Sequence, residues 1–135
     1  MKKNFLILAV SCLAASVMVM AQDEAAYVAL MKQIGPTCSA LGKKLQAKEG
    51  AAAVADAKKL QDLFQEVHAF WQKRSAADAM NFAKEASAAF QSVEQHASGG
   101  HFDEASASFK KALATCSGCH NAHREKAPDG SWKIK

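Results

Sequence analysis

Four stretches of this chain repeat apolar residues at intervals of three and four, the period of a helix with one buried face. The first runs from about Glu24 to Lys48, with Tyr27, Leu30, Ile34, Leu41 and Leu45 on one stripe. Gly35-Pro36 falls inside it, and Pro36, lacking an amide hydrogen, predicts a kink or local loosening there. Glu49-Gly50 reads as a turn, and a second helix over about Ala51 to Lys73 buries Ala57, Leu60, Phe64, Val67 and Trp71. Ser75, with Asp78 three residues on, reads as the N-cap of a third helix carrying Phe82, Ala86, Ala89, Phe90 and Val93. Ser98-Gly99-Gly100 ends it. The fourth helix starts near Phe102 or Asp103 and passes through Phe109, Leu113 and Cys116 to about Lys126, where Pro128-Asp129-Gly130 stops it. Nothing reads as a strand.

Helices of about 20 to 25 residues span roughly 30 to 37 Å. Connections this short place neighbours antiparallel, so the pattern predicts an all-α, up-down-up-down four-helix bundle. Such helices are marginal alone in water and are stabilised by packing their stripes together.

Ahead of the first stripe, Met1 to Ala21 has the layout of a secretory signal peptide. Lys2 and Lys3 form the basic end, Phe5 to Met20 the apolar run, and Val19-Met20-Ala21 the cleavage site. An apolar run of about 16 residues is short of the roughly 20 that span a bilayer, so no stable membrane insertion is expected. Acylation of Cys12 is a minor alternative, because the hydrophobic residues from Leu13 to Met20 make a poor exposed tether. Residues 22–135 then form one domain with one core. Losing Lys2 and Lys3 leaves 15 basic against 13 acidic residues. That balance provides no strong field for nucleic acid or anionic lipid, and nucleic-acid binding is excluded on this ground.

The chemistry lies on the fourth helix. Cys116-Ser117-Gly118-Cys119-His120 has the spacing of a covalent c-type haem attachment site. Residues three apart share a helix face, so both thiols can reach the vinyl groups along one haem edge. His120, four residues beyond Cys116, brings its imidazole to the iron as proximal ligand. With four Cys and five His in 135 residues, a shuffled chain would contain this pattern roughly 0.004 times. Two other readings of the cysteines are half a zinc site and a thiol redox pair. Zinc needs about four ligands, and no second cysteine pair exists; a redox pair would accompany a βαβ pattern, which is absent. One covalent haem c is therefore the expected cofactor. It also fits export, since c-type haem is attached outside the cytoplasm in bacteria. Cys38 is left over and reads as a small buried hydrophobe.

A haem motif on the last helix of a four-helix chain resembles the class II c-type cytochromes, the cytochrome c-prime family. Besides Cys116 to His120, the resemblance rests on Arg124, the basic residue that follows the motif, and on Leu30-Met31-Lys32 with Gly35. His123 stands where the family has an aromatic residue, and the connection between the second and third helices is shorter than the family's. The resemblance implies that the Met31 position faces the open side of the haem. An apolar residue there marks the high-spin branch; a ligating Met marks the low-spin branch. It also implies that two-fold homodimers are common in such bundles, although no residue here fixes an interface.

The helix pattern places Met31 independently. In an up-down-up-down bundle the start of the first helix is level with His120 near the end of the fourth, and Met31 lies at the edge of its apolar stripe. Met80 is at the right level, but its phase, roughly 130° from its own stripe, turns it toward solvent. His68 is the alternative distal ligand, against a partly buried role; His96 and His101 flank the far turn, and His123 cannot reach the opposite haem face. Arg124 is expected to pair with a haem propionate.

These residues predict a periplasmic electron carrier, not an enzyme, whose partners are redox proteins. The rival reading is a five-coordinate haem protein that binds NO or CO. Peroxidase-like chemistry would need a polar distal acid-base pair, and none is placed to supply it.

Overall fold

The computed structural model describes residues 2–135, with side chains from Asp23 onward. The expected signal peptide, its cleavage site and Cys12 lie outside the residues whose side chains are described.

Four helices account for most of the chain: α1 (Lys2–Gln46), α2 (Gly50–Lys73), α3 (Ala77–Ser98) and α4 (Phe102–His123). The architecture is all-helical and compatible with a four-helix bundle. The predicted stripes form the core. Leu41, Leu60, Phe90 and Val93 are fully enclosed, with Ala57, Ala83, Ala86 and Ala112 as the small partners that let the helices approach. Ion pairs tie consecutive elements at both ends. Lys44 Nζ sits 2.6 Å from Asp56 beside the α1–α2 turn. Lys73 and Arg74, at the other end of α2, pair with Asp23 and Glu24 at 3.6 and 3.4 Å. Gln61 Nε2 on α2 donates to Glu94 on α3 at 2.6 Å. The α2–α3 and α3–α4 contacts are extensive, whereas α1 touches α4 sparsely.

Several local expectations are corrected. Helix α1 runs unbroken through Pro36. Gly35 permits this, because a residue before proline is driven out of the helical region through its Cβ, which glycine lacks. Ser75 is not the N-cap of α3. It adopts φ 54° in the turn, Ala76 caps the helix, and the first helical residue is Ala77. Gly100, at φ 77°, makes the left-handed step after α3 that glycine takes without strain. Met80, expected to face solvent, is half-buried against the core.

The largest departure follows the haem motif. Helix α4 stops at His123, not near Lys126, and the chain forms an antiparallel hairpin of β1 (Arg124–Lys126) and β2 (Trp132–Ile134). Asp129 Oδ1 accepts from the Ser131 amide at 2.9 Å, and Gly130, at φ 81°, completes the turn. Arg124 and Trp132 are diagonal neighbours on one hairpin face, with the guanidinium 3.9 Å from the ring centroid. Among the described residues, no helix is long and apolar enough to cross a membrane.

Candidate cofactor site

Helix α4 turns Cys116, Cys119 and His120 to one side because Gly118, one of the two residues between the cysteines, packs the other way. A Cβ on Gly118 would stand 2.9 Å from Cε1 of Phe82, so the backbone of α4 lies directly against this α3 ring. Facing the motif is the wall of α1, built from Tyr27, Met31, Ile34, Gly35, Cys38 and Gly42. The two helices are close at Gly42, where a Cβ would meet Phe109 at 3.1 Å. At Gly35, two turns earlier, a Cβ would meet nothing within 4 Å. Between them lies a cavity of about 760 Å³, of the size that holds a cofactor.

Met31, Cys116, Cys119, His120 and Arg124 all line this cavity. A second cavity of about 340 Å³ adjoins it beneath the hairpin and shares Tyr27, Met31, Cys119, His120 and Arg124 with it. The hairpin therefore forms a wall that the helix pattern alone did not supply.

Burial sets the electrostatics. It pushes the Cys116 and Cys119 thiols up to about 11, aided by Cys119 for the former and Asp78 for the latter. All three described cysteines are free. At neutral pH these groups are S–H, the form that adds across a vinyl group to make a thioether. Burial, and then the nearby Arg124 charge, lowers the His120 pKa, favouring the neutral imidazole that a metal requires. Arg124 Nε is buried without a hydrogen-bond partner, as expected of a cation whose anion is supplied by a ligand.

Other candidates fall away or change role. His68 lines a separate small cavity with Phe64, Gln65, Ala83 and Lys84, so it faces α3 and not the α1–α4 cavity. The rings of His96 and His101 lie 6.4 Å apart beside the Gly99-Gly100 turn, remote from the motif. His123 is more engaged than expected. Its Nε2 lies 2.8 Å from Asp78 Oδ2, and its ring centroid is 4.7 Å from that of Trp71. Cys38 is buried as expected, but it also lines the cavity, with its thiol pushed by burial up to about 12.

Tyr27, Gly42 and Phe109 were not singled out as site residues; the sequence placed Tyr27 and Phe109 only among the apolar positions of their helices. The signal for the first two was present, since Met31, Gly35, Cys38 and Gly42 follow one another at helical spacing as a stripe of mostly small residues. Among the described residues, no group of three or more His, Cys, Asp or Glu is arranged to hold a metal ion.

The donors fit a haem c: two adjacent free thiols, an imidazole biased toward its neutral form, a thioether opposite, and a half-buried arginine with an unpartnered Nε beside an apolar cavity. Compared with known proteins, the chain matches no family model and no curated protein.

Proposed function

We propose that this chain is an exported, periplasmic mono-haem c-type cytochrome of the low-spin class II kind, an up-down-up-down antiparallel bundle that carries electrons and has no substrate. The observation that supports this reading most is that five residues expected from sequence to serve one haem line one cavity. Cys116 and Cys119 would hold the group through thioethers, His120 would be its proximal ligand, Met31 its distal ligand, and Arg124 the partner of a propionate. When bound, a haem c supplies one-electron chemistry at its iron. The chain's own residues set the terms of that chemistry. A Met31 thioether favours the ferrous state and raises the potential relative to a second imidazole. The packed core, with Phe90 and Leu60 fully enclosed, keeps α2 and α3 in one arrangement behind the cavity. Redox proteins are the proposed partners.

Absorption spectra of the purified protein in both redox states test the proposal. A low-spin spectrum is expected, with a weak long-wavelength methionine-to-iron band. Met31→Ala should turn it high-spin and let the ferrous form bind carbon monoxide. A wild-type protein already high-spin and binding carbon monoxide at once would favour the gas-binding alternative. Haem retained after acid-acetone extraction by the Cys116→Ser, Cys119→Ser double variant would overturn covalent attachment.

A further inference from the structure

Three large hydrophobic side chains are exposed among the described residues, and all three sit at the mouths of the two joined cavities. Leu113 is 40% exposed at the larger mouth; Val28 at 42% and Trp132 at 51% line the smaller. Single exposed apolar residues need no explanation, but Val28 and Trp132 share the smaller opening, one from α1 and one from the hairpin, and neighbouring exposed apolar groups mark a contact surface. Lys32 and Lys133 line the same smaller mouth, and Lys126 Nζ lies 5.2 Å from the Trp132 ring. The side-chain carboxylates close by include Glu24, Glu125 and Asp78, and each is engaged: Glu24 by Arg74 at 3.4 Å, Glu125 by Lys133 at 3.0 Å and Asp78 by His123 at 2.8 Å. Arg124 is set aside as the partner of a propionate. Lys32 and Lys126 then face solvent without a carboxylate partner among the described residues.

We infer that this mouth, formed by the start of α1 and the hairpin, docks a redox protein whose contact face has an apolar centre and an acidic rim. Trp132 is the anchor, an exposed aromatic of the kind that dominates interface energetics, and the lysines steer the encounter. The inference rests on the electron-carrier reading. In that exchange the partner gives up one electron and the ferric haem becomes ferrous, or the reverse. A second copy of this chain is the poorer occupant, because a two-fold contact through this mouth would set one basic face against another.

The test uses the ferrous, ¹⁵N-labelled protein titrated with oxidised flavodoxin, an acidic one-electron carrier, so that no electron moves during the measurement. The chain has two tryptophans, and Trp71 is only 2% exposed, so the two indole N–H signals separate surface from core. The Trp132 indole and the amides of Val28 and Lys32 should shift on addition, while the Trp71 indole stays in place, and high salt should reverse the shifts. Lys32→Glu with Lys126→Glu should weaken binding about tenfold at low salt. Lys59→Glu with Lys84→Glu, the same change in net charge on α2 and α3, should leave it unaltered. Trp132→Ala should weaken binding as well.

Shifts centred on α2 and α3, or equal weakening by both lysine pairs, would overturn the inference. Binding to phosphatidylglycerol vesicles or self-association through this face, with no response to flavodoxin, would also overturn it. A chain without haem would be recognised from its spectrum before the titration, and the indole signals would still report on docking. Failure of the cofactor reading and failure of the docking inference are therefore separate results.

Discussion

Replacing Pro36 by alanine should stabilise the protein, and the effect of a second change at Gly35 should reverse sign with it. Pro36 stands in the middle of α1 and is exposed, so its removal forfeits no core packing. Its ring crowds the Lys32 carbonyl and cannot donate to it, an arrangement that costs about 3 kcal/mol relative to alanine in a helix interior. A gain of about 2–3 kcal/mol is expected, allowing for the restriction that proline places on the unfolded chain. Gly35→Ala alone should destabilise, because the new Cβ meets the proline ring. With alanine at 36 that obstacle is gone, and no other atom lies within 4 Å of a Cβ at 35. The same change should then stabilise by about 1 kcal/mol through helix propensity. Urea unfolding of the four proteins without the cofactor, followed by far-ultraviolet circular dichroism, reads all the terms, since Gly35 lines the cavity and a Cβ there would meet a bound group. The Pro36→Ala midpoint should rise by about 1–2 M at an ordinary slope. The reasoning fails if Gly35→Ala acts with one sign in both backgrounds, or if Pro36→Ala lowers the midpoint.

Phe90→Ala, at a fully enclosed position, should cost about 3–5 kcal/mol in the same assay, whereas Trp132→Ala should cost under about 1; equal costs would mean that the core is misassigned. The Asp78 carboxylate accepts from His123, and this hydrogen bond, the leading cause, holds its pKa below the usual 3.8. The folded pKa is depressed, so the associated stability is complete above the unfolded value and is lost as pH falls through the lowered one. The stability gap between wild type and Asp78→Asn should therefore persist at neutral pH and close below about pH 4; a gap that widens on acidification would contradict the pairing.

The four helices and most of the site were legible because both rest on periodicity. Leu60, Phe64, Val67 and Trp71 recur at helical spacing, and Cys116, Cys119 and His120 share a face by the same rule. Met31 could be placed through its level and phase. What escaped depended on contacts between segments distant in sequence. Strands of three residues are too short to alternate visibly, so Pro128-Asp129-Gly130 read as a stop instead of a hairpin turn. The continuity of α1 hinged on the pairing of Gly35 with Pro36, and the proline alone suggested a kink or local loosening. His123 finds Asp78 across 45 residues, a partnership invisible along the chain. His68 was judged by its height in the bundle, and only the packing of α2 on α3 reveals which way it faces.

The sparse seam between α1 and α4 bears on the order in which this molecule comes apart. Helices α2, α3 and α4 form a continuous body through their shared contacts, while α1 is joined broadly only to α2. Without a group wedged between them, α1 and α4 have little to hold them together near Met31 and His120. The least costly excursion from the native state is then a swing of α1 about the Gln46–Gly50 turn, not a melting of the whole. Amide protons of α1 should exchange with solvent well before those of α2 and α3 in protein lacking the cofactor, and the difference should shrink when it is present. On the haem proposal, the same door would be the route by which the cofactor enters.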